Sequence, residues 1–139
     1  MRRWLTAYLA TGLAMIAMDA IWLTRSIGFY RSRIGALLLD QPRLAPAAVF
    51  YLLYAAALTA FATWPGLQRR SPRAAAARGA LFGLTAYATY DLTNLATLKA
   101  FSLDVAVVDM GWGLVLSSIS AALGCLIAKI IFRDHQLSI

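Results

Sequence analysis

Four apolar runs, at residues 4–24, 46–64, 79–101 and 105–132, limit what this chain can fold into more than any other feature. Each is close to or above the roughly 20 residues that a helix rising about 1.5 Å per residue needs to cross a hydrocarbon core of about 30 Å. Inside lipid each backbone N–H and C=O must find a partner within the protein, which helices do segment by segment. The runs therefore predict an all-α fold, a polytopic membrane four-helix bundle forming a single transmembrane domain over residues 1–139. Composition agrees: 61% of the residues are hydrophobic, 14% are charged, and the mean hydropathy of +0.68 is too high for a soluble domain of 139 residues.

Thirteen Lys and Arg face six acids, all Asp, giving a net charge of +7. The basic residues gather at the ends of the runs, where they set topology and meet lipid headgroups, so nucleic acid is not an expected partner. With both termini cytoplasmic, that side holds Arg2, Arg3, Arg69, Arg70, Arg73, Arg78, Lys129 and Arg133, against Arg25, Arg31, Arg33, Arg43 and Lys99 outside. Positive residues favour the cytoplasmic side, and the count selects this orientation in a bacterial inner membrane. The first run reads as a retained helix, because Asp19 interrupts any cleavage region and no A-x-A pattern fits. Arg25 to Ala45 mixes arginines with Ile27, Phe29, Tyr30, Ile34 and Leu37 to Leu39, a texture that predicts a short amphipathic helix lying in the interface between helices 1 and 2. Trp64-Pro65-Gly66, an aromatic anchor followed by breakers, is expected to close the second span. The tail containing His135 is expected to be solvated.

Asp91 is the anomaly inside the third run. An Asp at a helix centre costs roughly 2.5 to 3.5 kcal/mol on insertion scales, so such a residue faces the bundle interior and marks a functional site by default. At helical spacing Tyr87, Asp91 and Asn94 share a face, with Tyr90 and Thr97 beside them. Two further aspartates lie in spans, and each has a tryptophan three residues later: Asp19 with Trp22 and Asp109 with Trp112. The topology places all three aspartates at similar depth in the outer half. The tryptophans also suit an interfacial aromatic belt, and the aspartates a purely structural hydrogen-bond network. Three acids at similar depth, beside Asn94 and tyrosines, favour a ligand or proton site built from Asp19, Trp22, Tyr87, Tyr90, Asp91, Asn94, Asp109 and Trp112. Small residues add packing surfaces: Gly79-x-x-x-Gly83 in the third run and Gly113, Ser117, Ser120 and Gly124 in the fourth.

Carboxylates gathered in low dielectric cannot all remain ionised, which permits proton exchange, acid–base work on a lipid, or capture of a cation. A metal site is under-supplied, since the one His is in the tail and the one Cys, Cys125, also rules out an intrachain disulfide. There is no nucleophile elbow, phosphate loop, dinucleotide fingerprint or haem-attachment motif, and no cofactor is expected.

Met18-Asp-Ala-Ile-Trp-Leu23, Gly28-Phe-Tyr-Arg31, Val49-Phe-Tyr-Leu-Leu-Tyr54, Tyr87-Ala-Thr-Tyr-Asp-Leu-Thr-Asn-Leu-Ala-Thr97 and Val108-Asp-Met-Gly-Trp-Gly113 together resemble a family of small bacterial membrane proteins catalogued as domain of unknown function 2177. The resemblance covers nearly the whole chain, and its most specific part is Tyr90 to Thr97. It implies a polytopic helical protein of a bacterial inner membrane and brings no activity with it. Three classes follow from the residues themselves. One is a module that binds or translocates a small molecule, lipid or proton; the second is a cofactor-free membrane enzyme acting on a lipid-like substrate; the third is an accessory subunit of a larger membrane complex. The expected partners are membrane lipids, a small-molecule or lipid ligand, and a second copy of the chain or a larger complex.

Overall fold

A computed structural model describes residues 1–134, all of whose regular elements are helical. The tail with His135 lies outside the described residues. Four helices alternate in direction: α1 (Arg2–Ile34), α2 (Leu44–Gln68), α3 (Pro72–Thr97) and α4 (Leu103–Asp134). Arg3 lies over the Phe132 ring and Ile34 packs with Val105 and Ala106, so α1 and α4 run antiparallel and begin and end together.

Three stretches, Arg2–Leu37, Leu44–Gln68 and Leu103–Phe132, are long and apolar enough to cross a membrane. α3 has the length, at 26 residues, but is not among them. Its course is nonetheless dictated, because α2 ends at one face of the bundle and α4 begins at the other. The chemistry that makes this tolerable is local. Thr85, Thr89 and Thr97 on the exposed side each donate to the carbonyl four residues earlier, at 2.8 Å, so their hydroxyls are satisfied without water.

The separate interfacial helix expected between helices 1 and 2 is absent from the described residues. Arg25 to Ile34 continues α1 and is followed by one 3-10 turn, Gly35–Leu37. No proline interrupts the chain before Gly35, Gly28 is carried within the helix, and Ser26 stays buried on the inward face, so the helix does not stop at Arg25. Other boundaries shift in the same way. Trp64-Pro65-Gly66 does not close α2, because a π-helical stretch at Thr59–Thr63 precedes the proline and the helix carries on to Gln68. A wider turn of this kind absorbs the i−4 hydrogen bond that a proline cannot make. α3 starts at Pro72, with Ser71 as its cap accepting from the Ala74 N–H at 3.2 Å, and stops at Thr97. Phe101, expected as the last residue of that span, instead turns back to pack with Ile34, Val105 and Ala106.

The tightest seam joins α3 to α4. A Cβ added at Gly79 would meet the Ser117 carbonyl, one at Gly83 would meet the Gly113 carbonyl and the Ser117 hydroxyl, and one at Gly113 would meet the Tyr87 ring. The Gly79-x-x-x-Gly83 pair thus brings two backbones together, as small residues do between helices in lipid. Lipid-facing surfaces carry Leu9, Leu13, Leu53, Phe61, Leu81 and Ile130, all exposed. Gly83→Val should overpack this seam by about 1–3 kcal/mol and lower the thermal midpoint in detergent micelles, followed by circular dichroism at 222 nm. Gly28→Ala, with nothing within 4 Å of the new Cβ, should leave the midpoint unchanged or raise it.

Candidate functional site

Asp19 sits on the inward face of α1 with Thr11, Met15 and Ser26, at helical spacing. Its carboxylate is 7% exposed and bonded on both oxygens. Tyr51 of α2 donates its phenol O–H to Oδ2, and Trp112 of α4 donates its indole N–H to Oδ1 at 3.0 Å. One carboxylate thereby joins three helices. Further toward the end of the bundle where α3 connects to α4, Tyr30 of α1 donates to Oδ1 of Asp109 on α4, while Trp22 Nε1 donates to the Tyr30 oxygen at 3.2 Å. The two indoles close the gap between these groups. Trp22 and Trp112 stack with centroids 4.4 Å apart and planes 7° from parallel. From Tyr51 to Asp109 the groups form one connected set.

This arrangement accounts for four of the eight residues expected at a site: Asp19, Trp22, Asp109 and Trp112. Tyr87 borders it, edge-on to Tyr54 at 6.3 Å and packed on Gly113. Tyr90 points away from the set; it is 60% exposed, with its ring edge-on to Phe101. Asn94 is half-buried one turn beyond Asp91. The three aspartates are not at one depth. Asp91 and Asp109 each lie six residues from the connection between α3 and α4, about 9 Å of rise, on adjacent antiparallel helices. Asp19 is deeper: its donor Trp112 lies three residues inward of Asp109, and Asp19 itself lies eleven residues inward of Tyr30. Among the described residues no three His, Cys, Asp or Glu side chains converge to hold a metal ion.

Asp91 differs from the other two. It is fully buried, and neither carboxylate oxygen has a hydrogen-bond partner among the described residues. Leaving a buried polar group unpaired costs on the order of 1–3 kcal/mol, and more for a charged one.

Tyr30 and Tyr51, the two phenols that hold the aspartates, were not among the expected site residues. A signal for Tyr30 existed: it is eleven residues, about three helical turns, after Asp19 on a helix that does not stop at Arg25. Tyr51 carried no comparable signal, since its pairing depends on how α2 is placed against α1. Deeper in the bundle two more side-chain pairs cross between helices, Tyr54 with Ser117 at 2.7 Å and Thr11 with Thr63 at 3.0 Å.

A helical bundle with apolar outer faces, buried carboxylates and interhelical phenol, indole and hydroxyl bonds is an integral membrane protein. The family described as "Predicted membrane protein (DUF2177)" matches residues 4–126, and the chain belongs to it. Neither the curated proteins nor the solved structures contain a match to the chain.

Tyr51→Phe removes one of the two donors to buried Asp19 and should cost about 1–3 kcal/mol in reversible unfolding from mixed micelles. Tyr8→Phe, whose exposed hydroxyl reaches the Leu52 carbonyl at only 3.4 Å, should stay within about 0.5 kcal/mol of wild type.

Proposed function

We propose that the protein is a binding and translocation module of the bacterial inner membrane that takes up a small cationic or hydrogen-bond-donating ligand, or a proton, at Asp91 in the outer half of the bilayer. The observation that carries this reading is the contrast among the three acids. Asp19 and Asp109 have their donors supplied by Tyr51, Trp112 and Tyr30, whereas Asp91 is fully buried with both oxygens unpartnered among the described residues. A ligand bringing N–H donors or positive charge would relieve that cost. Tyr87, one helical turn before Asp91 on the same helix, would suit a cation.

Orientation follows from charge. The end carrying Arg2, Arg3, Arg69, Arg70, Arg73 and Arg78 is assigned to the cytoplasm, with both termini. At the opposite end Asp40 and Asp104 partly offset the arginines, and Arg33 pairs with Asp104 at 3.2 Å. With Cys125→Ala as background, Asp40→Cys should react with a membrane-impermeant maleimide in intact cells, and Gln68→Cys only after lysis. The reverse pattern would place the acids in the cytoplasmic half.

Native mass spectrometry of the detergent-extracted protein tests the site. Wild type and Asp104→Asn should carry the same non-covalent small-molecule or lipid adduct, and Asp91→Asn, equally folded by circular dichroism, should lose it. An adduct retained by Asp91→Asn would remove Asp91 from the binding site.

A further inference from the structure

We infer that the bundle carries a proton path across the membrane, a column of buried hydroxyls running from Asp91 and Asp109 in the outer half, past the deeper Asp19, toward the basic end. The inference rests on the reading of Asp91 as the exchanging group and extends it through the rest of the bilayer.

The column follows the faces where α1, α2 and α4 meet. It is entered from Asp91 on α3, level with Asp109 on the adjacent helix, and continues through Asp109 with Tyr30 and Asp19 with Tyr51. Next inward is the Tyr54–Ser117 pair, and furthest inward the Thr11–Thr63 pair, where Thr11 packs directly on Gly124. Two more hydroxyls lie between those pairs in helix order: Thr59, between Tyr54 and Thr63 on α2, and Ser120, between Ser117 and Gly124 on α4. Both are fully buried, and neither oxygen has a partner among the described residues. Along α4 the stretch from Asp109 to Gly124 rises about 22 Å, most of a hydrocarbon core of about 30 Å.

Helix packing alone does not call for these two groups. Serine and threonine used for packing are paired across the seam or bonded to their own helix, as Thr85 is to the Leu81 carbonyl at 2.8 Å. An unpaired hydroxyl in an apolar surrounding is costly, and alanine or valine would fill the same space without that cost. A hydroxyl can accept a proton on a lone pair while releasing its own to the next oxygen. Passed along the column, this takes up one proton at one aqueous face and releases one at the other, breaking and forming only O–H bonds. The walls select the proton. Met15, Leu58 and Leu116 are fully or almost fully buried beside the hydroxyls and leave the seam too close-packed for a hydrated ion. Thr59 also opens the π-helical stretch Thr59–Thr63, a local departure from α-helical bonding of a kind that recurs at functional sites.

The test uses the full-length protein in phosphatidylethanolamine–phosphatidylglycerol vesicles containing a pH-sensitive dye, with a valinomycin-set potassium potential as driving force. Wild type should acidify the lumen at least fivefold faster than protein-free vesicles. Ser120→Ala and Thr59→Val should each lose most of that increment, Asp91→Asn should abolish it, and Thr85→Val should retain it. Ser120→Ala removes one unpaired oxygen from a packed site, so folding is expected to survive, and its circular dichroism melt verifies this. Wild-type flux at the protein-free level, or full flux in both Ser120→Ala and Thr59→Val, would overturn the path. A ligand adduct lost in Asp91→Asn alongside absent flux would leave the binding site standing and remove the path alone.

Discussion

The double acceptance by Asp19 is the constraint on which the rest of the interior depends. Within lipid, apolar contact gives helices little reason to associate, so close packing and interhelical hydrogen bonds must set their arrangement. A carboxylate buried on α1 is tolerable only with donors at hand, and Tyr51 and Trp112 bring them from two other helices. Placing Trp112 on Asp19 also places its ring, and Trp22 lies flat against it. Trp22 is then positioned to donate to Tyr30, which in turn serves Asp109. One residue's need for donors propagates through six side chains. The α3–α4 seam uses the other available means, backbone proximity at Gly79, Gly83 and Gly113.

Much of this was legible in the residue order. Apolar run length gives four helices because lipid leaves the backbone no other partner, and an Asp followed three residues later by Trp marks inward faces on α1 and α4. What the order could not supply was tertiary. Tyr51 reads only as a polar handle on α2 until α2 is set against α1. Tyr30 was obscured by its setting: the arginines around it resemble an interfacial segment, yet arginine is a good helix former and nothing before Gly35 ends the helix. Asp19 lies deeper than the similar depth expected of the three acids, because α1 runs nine residues past Arg25 to Ile34. Proline misled in the opposite sense, since the π-helical stretch before Pro65 lets α2 continue past it.

On the proposed reading, the division of labour among the acids also separates ligand binding from the bonds that hold the helices together. A ligand engaging Asp19 would have to displace Tyr51 or Trp112 and so release α1 from α2 or α4. A ligand at Asp109 would compete with Tyr30 and disturb the stacked tryptophans. Engaging Asp91 breaks no hydrogen bond among the described residues, because none is made there. The helix that carries it approaches α4 closely at Gly79, Gly83 and Gly113, contacts that do not involve the carboxyl group. A site that must bind and release repeatedly is best placed on a group the fold does not use, and of the three buried aspartates only Asp91 meets that condition.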